Sequence, residues 1–230
     1  MVFFSSLKRE GKGLRHILFD FDGTIADTLP LIFTSFRSTF QQFLGQHYTD
    51  SQVLSLFGPT ETVILQKLLP ADHLDTGLTH FFDVYTKEHQ RVVNPPEIRE
   101  MLDRFQAAGI KMGIVTGKGR RSADISLREW GLDSFFEVVI TGDEVSQPKP
   151  HPEGILSAMQ QMGLAPADTI YVGDSNADVL AGKAAGLVTV GVNWLAVTQG
   201  EGSFEPEPDF VFTDVASFRD WVLADHATDR

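Results

Sequence analysis

The sequence predicts an α/β fold: a doubly wound, Rossmann-like parallel sheet with an all-helical cap domain inserted after its first strand. Apolar, strand-like segments alternate with amphipathic helices from residue 95 onward, which is typical of a parallel sheet with helices on both faces. Residues 28–94, by contrast, show only helical spacing of apolar residues. We therefore expect a lead-in at 1–14, a core formed by 15–27 and 95–230, and a helical cap formed by 28–94.

The first predicted strand, HILFD at 16–20, is apolar up to its final carboxylate. Helical spacing begins at Leu29 and continues to Gly45, and glycine commonly ends helices. Breaks at Gly58-Pro59 and at Pro70 separate further helical segments. The helices of the insert are therefore predicted at residues 29–45, 50–57, 60–69 and 73–91.

After the break Asn94-Pro95-Pro96, amphipathic helices alternate with apolar strands. The helices of this part are predicted at residues 97–108, 120–130, 153–162, 176–185 and 214–224. The strands are predicted at residues 111–116, 136–141, 168–174, 187–192 and 209–213. Because ligands of such sheets bind beyond the carboxyl ends of the strands, chemistry is expected at those ends.

Composition narrows the function classes. The 230 residues contain no cysteine, which excludes disulfides, thiol chemistry and thiolate metal sites. The net charge of −12 argues against nucleic-acid and anionic-membrane partners, because both need clustered Lys and Arg. The apolar run near the N-terminus is too short for a signal peptide, and no segment approaches the ~20 apolar residues of a membrane helix. A cytoplasmic enzyme with a small-molecule partner is the leading class, and monomer and dimer both stay open.

Four carboxylates follow the ends of two predicted strands. Asp20 and Asp22 end the first strand, and Asp174 and Asp178 follow the segment YVG. Like charges this close require a cation or a raised pKa. A compact cluster of oxygen ligands suits a hard divalent ion, and Mg²⁺ takes few protein carboxylates together with water and a substrate phosphate. The pattern therefore predicts a magnesium site.

Phosphate-binding groups are expected at the same edge of the sheet. Thr116 supplies a hydroxyl, Gly117 begins a segment with free backbone amides, and Lys149 supplies an ammonium. The prolines around Lys149 restrict its backbone, which favours a placed cation over a solvated one. The expected partner is a small phosphorylated metabolite.

Four motifs in order resemble those of the haloacid dehalogenase-like hydrolases. They are DFDGT at 20–24, the threonine ending IVT at 114–116, the lysine of QPKPHPE at 147–153, and GDSNAD at 173–178. The resemblance covers nearly the whole chain from residue 15. The insert resembles the small helical cap of the subgroup that holds phosphoglycolate phosphatase, β-phosphoglucomutase and a bacterial pyrophosphatase. The later segment GVNW…EPDF looks like the phosphatase and pyrophosphatase branch.

The resemblance implies a role for each matching residue. Asp20 would be the nucleophile that forms an aspartyl-phosphate, and Asp22 the general acid and base. Thr116, the Gly117 backbone and Lys149 would grip the transferring phosphoryl group.

A Mg²⁺ site is implied as well. Its ligands would be the Asp20 carboxylate, the Asp22 backbone carbonyl and Asp174. Asp178 would hold a metal-bound water or orient Lys149.

The predicted function is hydrolysis of a small phosphate monoester, such as 2-phosphoglycolate. An inorganic pyrophosphatase and a phosphomutase are the alternatives, and a non-catalytic binding protein is the least favoured because every motif residue is present. The turn of Gly58, Pro59 and Thr60 would read the leaving group of the substrate, although Thr60 could equally be a helix N-cap.

Overall fold

The computed structural model describes residues 14–199 and 203–227. The predicted lead-in therefore lies outside the described residues, except for Leu14. Leu14 is buried in the largest apolar cluster that the described residues form. No helix in the described part of the chain is long and apolar enough to cross a bilayer.

The sheet has six strands, all paired in parallel. They are β1 (His16–Phe19), β2 (Lys111–Val115), β3 (Val138–Ile140), β4 (Thr169–Gly173), β5 (Val188–Val192) and β6 (Phe210–Phe212). Their order is β3-β2-β1-β4-β5-β6, which is the doubly wound order and confirms the predicted fold class. Phe19 aligns with both Ile114 and Val172, so the carboxyl ends of the three central strands are level.

Nine α-helices accompany the sheet within the described residues. They are α1 (Leu29–Leu44), α2 (Asp50–Leu54), α3 (Glu61–Leu68), α4 (Leu74–His89), α5 (Pro96–Ala108), α6 (Arg120–Glu129), α7 (Glu153–Met162), α8 (Asn176–Ala184) and α9 (Val215–Ala227). Short 3-10 helices occur at Ala71–His73, Asp133–Phe135 and Pro166–Asp168. The predicted elements are thus confirmed in type and order, with small shifts at their ends.

Both faces of the sheet are covered by apolar side chains. Ile17 and Phe19 belong to a cluster with residues of α5, α6 and α9, whereas Leu18 belongs to a cluster with residues of α7 and α8. This alternation follows from the strand period of two residues. Burial on both faces explains why the strands read as continuous apolar runs.

Helices α1 to α4 form a third apolar cluster, in which Phe36, Phe40, Phe81 and Tyr85 are fully buried. We call residues 28–94 the helical segment; its treatment as a domain separate from 15–27 and 95–230 stays a prediction. The segment contains helices and connections but no strand.

Two predicted helices of the helical segment differ from the structure. The helix predicted at 50–57 ends at Leu54, because Leu56 and Phe57 donate backbone hydrogen bonds to carbonyls only three residues back. This tighter turn leads into Gly58, whose φ of 130° is a backbone conformation that favours glycine. The helix predicted at 73–91 begins instead as a 3-10 turn and is α-helical over Leu74–His89.

Candidate active site

The carboxyl ends of the central strands meet at one cavity of about 390 Å³. Asp20 and Asp22 follow β1, Thr116 and Gly117 follow β2, and Lys149 comes from the connection between β3 and α7. All five line this cavity. The structure thus places the predicted catalytic and phosphate-binding residues at a single site.

Three buried carboxylates form a compact cluster at the base of the site. Oxygen atoms of Asp20, Asp174 and Asp178 lie within 4.8 Å of one another. Asp174 Oδ2 accepts a hydrogen bond of 2.6 Å from the Gln199 backbone N–H, while Asp174 Oδ1 is buried and has no hydrogen-bond partner among the described residues. A buried oxygen left without a donor in a three-carboxylate cluster fits a hard divalent cation.

Burial shifts the protonation of this cluster. It raises the pKa of Asp20 to about 7, although Lys149 acts in the opposite direction. Burial and the charges of Asp20 and Asp178 raise the pKa of Asp174 well above its ordinary value. Both shifts favour the protonated carboxyl groups, and a cation that compensates the charge of the cluster would oppose them.

The fourth predicted metal residue, Asp22, is placed differently. Its carboxylate lies outside the cluster, and its Oδ1 accepts hydrogen bonds from Lys118 Nζ, at 2.9 Å, and from Thr28 Oγ1. Its backbone carbonyl, the predicted ligand atom, accepts from Gln199 Nε2 at 3.3 Å. The Asp22 carboxylate is thus separated from the metal cluster and faces other partners.

Lys149 bridges two carboxylates of the cluster, one of which is the nucleophile candidate Asp20. Its Nζ lies 2.7 Å from Asp20 Oδ1 and 2.5 Å from Asp178 Oδ1. Burial on its own lowers the pKa of Lys149, but the charges of Asp178 and Asp20 raise it well above the ordinary value. A charged ammonium therefore lies beside the Asp20 carboxylate, where phosphoryl oxygens would arrive.

Local helix chemistry orients Asp178. Ser175 and Asp178 form a capping box at the start of α8, in which the Ser175 N–H and Oγ donate to Asp178 Oδ2 at 3.0 and 2.6 Å. Asp178 Oδ1 in turn accepts from Lys149 Nζ, at 2.5 Å, and from the Tyr171 hydroxyl, at 3.2 Å. The geometry suits the predicted role of Asp178 in orienting Lys149.

Gly23 is required next to the cluster. Its φ is +81°, and a Cβ at this position would collide with the Asp174 carboxylate. Glycine therefore allows the turn after β1 to approach β4 closely.

The helical segment forms the opposite wall of the cavity. Gly58, Pro59 and Thr60, the three predicted specificity candidates, all line it. Thr60 also precedes α3 at the N-cap position, but its side chain makes no capping hydrogen bond. The rest of this wall is formed mainly by the apolar residues Ile32, Phe36, Leu54, Phe57 and Ile64.

Two charged residues of the site were missed by the sequence analysis. Lys118 follows the Thr116-Gly117 pair, and its position at a strand end was a signal that could have identified it. Glu61, the first residue of α3, lies 3.7 Å from Lys118 through its Oε1, and no local pattern marked it. Burial lowers the pKa of Lys118, but Asp22, Tyr85 and Glu61 together raise it above its ordinary value.

Comparison with known proteins agrees with the motifs. Residues 17–192 match the family model described as haloacid dehalogenase-like hydrolase. The chain is 34% identical to pyrophosphatase PpaX of Bacillus pumilus over 210 residues. The aligned region covers 91% of this chain and 96% of the relative.

Solved structures share the fold. A predicted phosphoglycolate phosphatase from Haemophilus somnus 129PT superposes with a TM-score of 0.78 at 24% identity, covering 90% of this chain and 97% of that one. CbbY from Rhodobacter sphaeroides, solved in complex with phosphate, gives a TM-score of 0.77 at 20% identity, covering 89% and 96%.

Proposed function

Because the chain belongs to the haloacid dehalogenase-like hydrolase family, we propose that it is a Mg²⁺-dependent phosphatase that hydrolyses a small phosphate monoester through an aspartyl-phosphate on Asp20. The observation that supports this most strongly is the placement of Asp20. One of its oxygens contacts the Lys149 ammonium, and the carboxylate also belongs to the cluster that fits a cation. A carboxylate with positive charge on both sides can attack an anionic phosphate.

The first step transfers the phosphoryl group to the enzyme. A carboxylate oxygen of Asp20 attacks phosphorus, and the bond from phosphorus to the leaving oxygen breaks. Asp22 gives its proton to that leaving oxygen, so the product leaves as an alcohol. Thr116, the Gly117 backbone and Lys149 bind the phosphoryl oxygens during the transfer.

The second step releases phosphate. Asp22, now a carboxylate, takes a proton from a water molecule that attacks phosphorus. The bond between phosphorus and the Asp20 oxygen breaks, which restores the Asp20 carboxylate. Asp22 regains its proton in this step, so the enzyme returns to its starting state.

The residues that would hold Mg²⁺ are Asp20, the Asp22 backbone carbonyl and Asp174, whose Oδ1 has no other partner among the described residues. When bound, the ion supplies positive charge to the phosphoryl oxygens and keeps Asp20 ionised. Asp178 holds Lys149 against Asp20.

Inorganic pyrophosphate is the second candidate substrate. The 34% identity to pyrophosphatase PpaX, over nearly the full length of both chains, favours it. The same residues would transfer a phosphoryl group from pyrophosphate, with phosphate as the leaving group.

The test is phosphate release from 2-phosphoglycolate, pyrophosphate and p-nitrophenyl phosphate, with Mg²⁺ and with EDTA. We expect release that requires Mg²⁺ and is lost in Asp20→Asn, and the substrate with the highest kcat/KM decides between the two candidates. Asp72→Asn, whose side chain is 80% exposed, is the matched control and should retain activity. Release that persists in Asp20→Asn would exclude the aspartyl-phosphate route.

A further inference from the structure

Lys118 is a buried cation beside the proposed acid and base, and it has no role in the mechanism above. It lies between β2 and α6, and its side chain is 0% exposed. The ammonium is 2.9 Å from Asp22 Oδ1, 3.7 Å from Glu61 Oε1 and 4.8 Å from the centre of the Tyr85 ring. A fully enclosed ammonium is unfavourable unless it is paired, and Lys118 is paired on both sides.

Within residues 14–199 and 203–227, the side-chain hydrogen bonds of Asp22 are confined to one carboxylate oxygen. Lys118 and Thr28 both donate to Oδ1. Because Asp22 also lines the cavity, this leaves Oδ2 as the oxygen that can exchange a proton with a substrate. A carboxylate held at one oxygen has a fixed orientation, and proton transfer depends on such geometry.

The helical segment holds Lys118 in place. Glu61 follows the turn of residues 58–60, and while its Oε1 faces Lys118, its Oε2 accepts a hydrogen bond of 2.9 Å from the Gly119 N–H. Tyr85, on α4, lies against the ammonium, and its hydroxyl is 2.7 Å from Ser126 Oγ on α6. Lys118 and Glu61 both line the cavity, and the Lys118 ammonium is fully buried among these contacts.

We propose that Lys118 is a positioning residue that holds Asp22 Oδ1 and thereby presents Oδ2 to the leaving oxygen and then to the attacking water, with Glu61 and Tyr85 of the helical segment holding Lys118. This inference rests on the proposed function. It assigns Lys118 an effect on proton transfer, rather than on binding of the phosphoryl group.

The test compares kcat/KM for two substrates in the wild-type enzyme and in Lys118→Met. The alkoxide of 2-phosphoglycolate needs a proton to leave, whereas the p-nitrophenolate of p-nitrophenyl phosphate does not. We expect kcat/KM to fall about 100-fold for the first substrate and less than about 10-fold for the second. Asp22→Asn should show the same selectivity with a larger loss, and Lys183→Met, on the exposed side of α8, serves as the control.

An equal loss on both substrates would assign Lys118 a general structural or electrostatic role and overturn the inference, while the proposed function would stand. No phosphate release by the wild-type enzyme would instead overturn the proposed function, and the inference with it.

If Lys118→Met does not fold, Glu61→Gln decides. The amide oxygen of the new side chain can still accept from the Gly119 N–H, but the negative charge is lost. We expect kcat/KM to fall about threefold more for 2-phosphoglycolate than for p-nitrophenyl phosphate. If the kcat/KM of Glu61→Gln changes by the same factor, relative to the wild type, for both substrates, the inference is overturned.

Discussion

The two walls of the active-site cavity are built in different ways. The wall at the sheet edge is charged, and its groups are paired with one another, as in the contacts of Lys149 with Asp20 and Asp178. The wall from the helical segment is mostly apolar and includes the turn of residues 58–60. The first wall contains the residues that act in the proposed mechanism, and the second is where we expect the leaving part of the substrate to lie.

This difference predicts which parts of the site determine substrate selectivity and which determine the chemistry. Residues at strand ends are held by the sheet, whose strands are aligned in register, so their geometry does not depend on the substrate. Apart from Thr28, Glu61 and Tyr85, which contact the charged wall, the helical wall packs in its own apolar cluster and can change its lining without disturbing the strand ends. Selectivity is therefore expected to change through the helical segment, and chemistry through the sheet.

The largest expected effect comes from removing the cation of the charged wall. Lys149→Met leaves Asp20 and Asp178 without their shared partner, and we expect kcat/KM to fall about 10³-fold. Because a buried ion pair is broken, the free energy of unfolding should also fall by about 3 kcal/mol. Steady-state kinetics and urea unfolding measure the two losses.

Lys183→Met removes a lysine from an exposed helix position and is the control for the loss of one positive charge. A Lys149→Met enzyme with near wild-type kcat/KM would show that the sheet wall does not depend on this ammonium, and it would remove Lys149 from the proposed mechanism.

The second prediction tests whether the two walls belong to separate units. Phe36, in α1, is fully buried and packs against Phe40 and Phe81 at ring distances of 5.5 and 4.7 Å. Phe36→Ala should destabilise the protein by about 3 kcal/mol. If the helical segment is a separate domain, hydrogen exchange should speed up in α1 to α4 and stay slow in the strands.

Phe105→Ala is the matched change under the sheet, where Phe105 is equally buried and packs against Phe218. It should speed up exchange in the strands. Faster exchange throughout the chain in both variants would show that core and helical segment unfold as one unit, against the predicted division.

The same contrast explains what the sequence could predict. Local patterns made candidates of six residues that follow a strand or begin a helix, and the parallel topology brings them to one edge: Asp20, Asp22, Thr116, Lys149, Asp174 and Asp178. Glu61 and Tyr85 reach the site through the packing of α3 against α4 and of α4 against α6. No local pattern encodes that packing, and so their contacts with Lys118 and its neighbours were not predicted.

The smallest effect, about half of each of the two stability losses above for every pH unit, is the pH dependence of stability in EDTA. Burial raises the pKa of Asp20 to about 7 from an ordinary value of 3.8, so between these pH values the folded protein keeps a proton that the unfolded chain has released. Stability is therefore lost as pH rises from about 4 to about 7, by up to about 1.4 kcal/mol per pH unit for this group. Asp20→Asn lacks this group, so its free energy of unfolding should increase relative to that of the wild type as pH rises.

Urea unfolding at pH 5, 6 and 7 measures this difference, and parallel curves for the two proteins would contradict the raised pKa. Added Mg²⁺ sharpens the comparison, because a cation that binds the ionised cluster competes with protons. The ion should stabilise the wild type more at pH 7 than at pH 5. At both pH values it should stabilise Asp20→Asn less than the wild type. The apolar wall does not take part in this competition between Mg²⁺ and protons. Phe36→Ala should therefore keep the wild-type response to Mg²⁺ while being less stable at every pH.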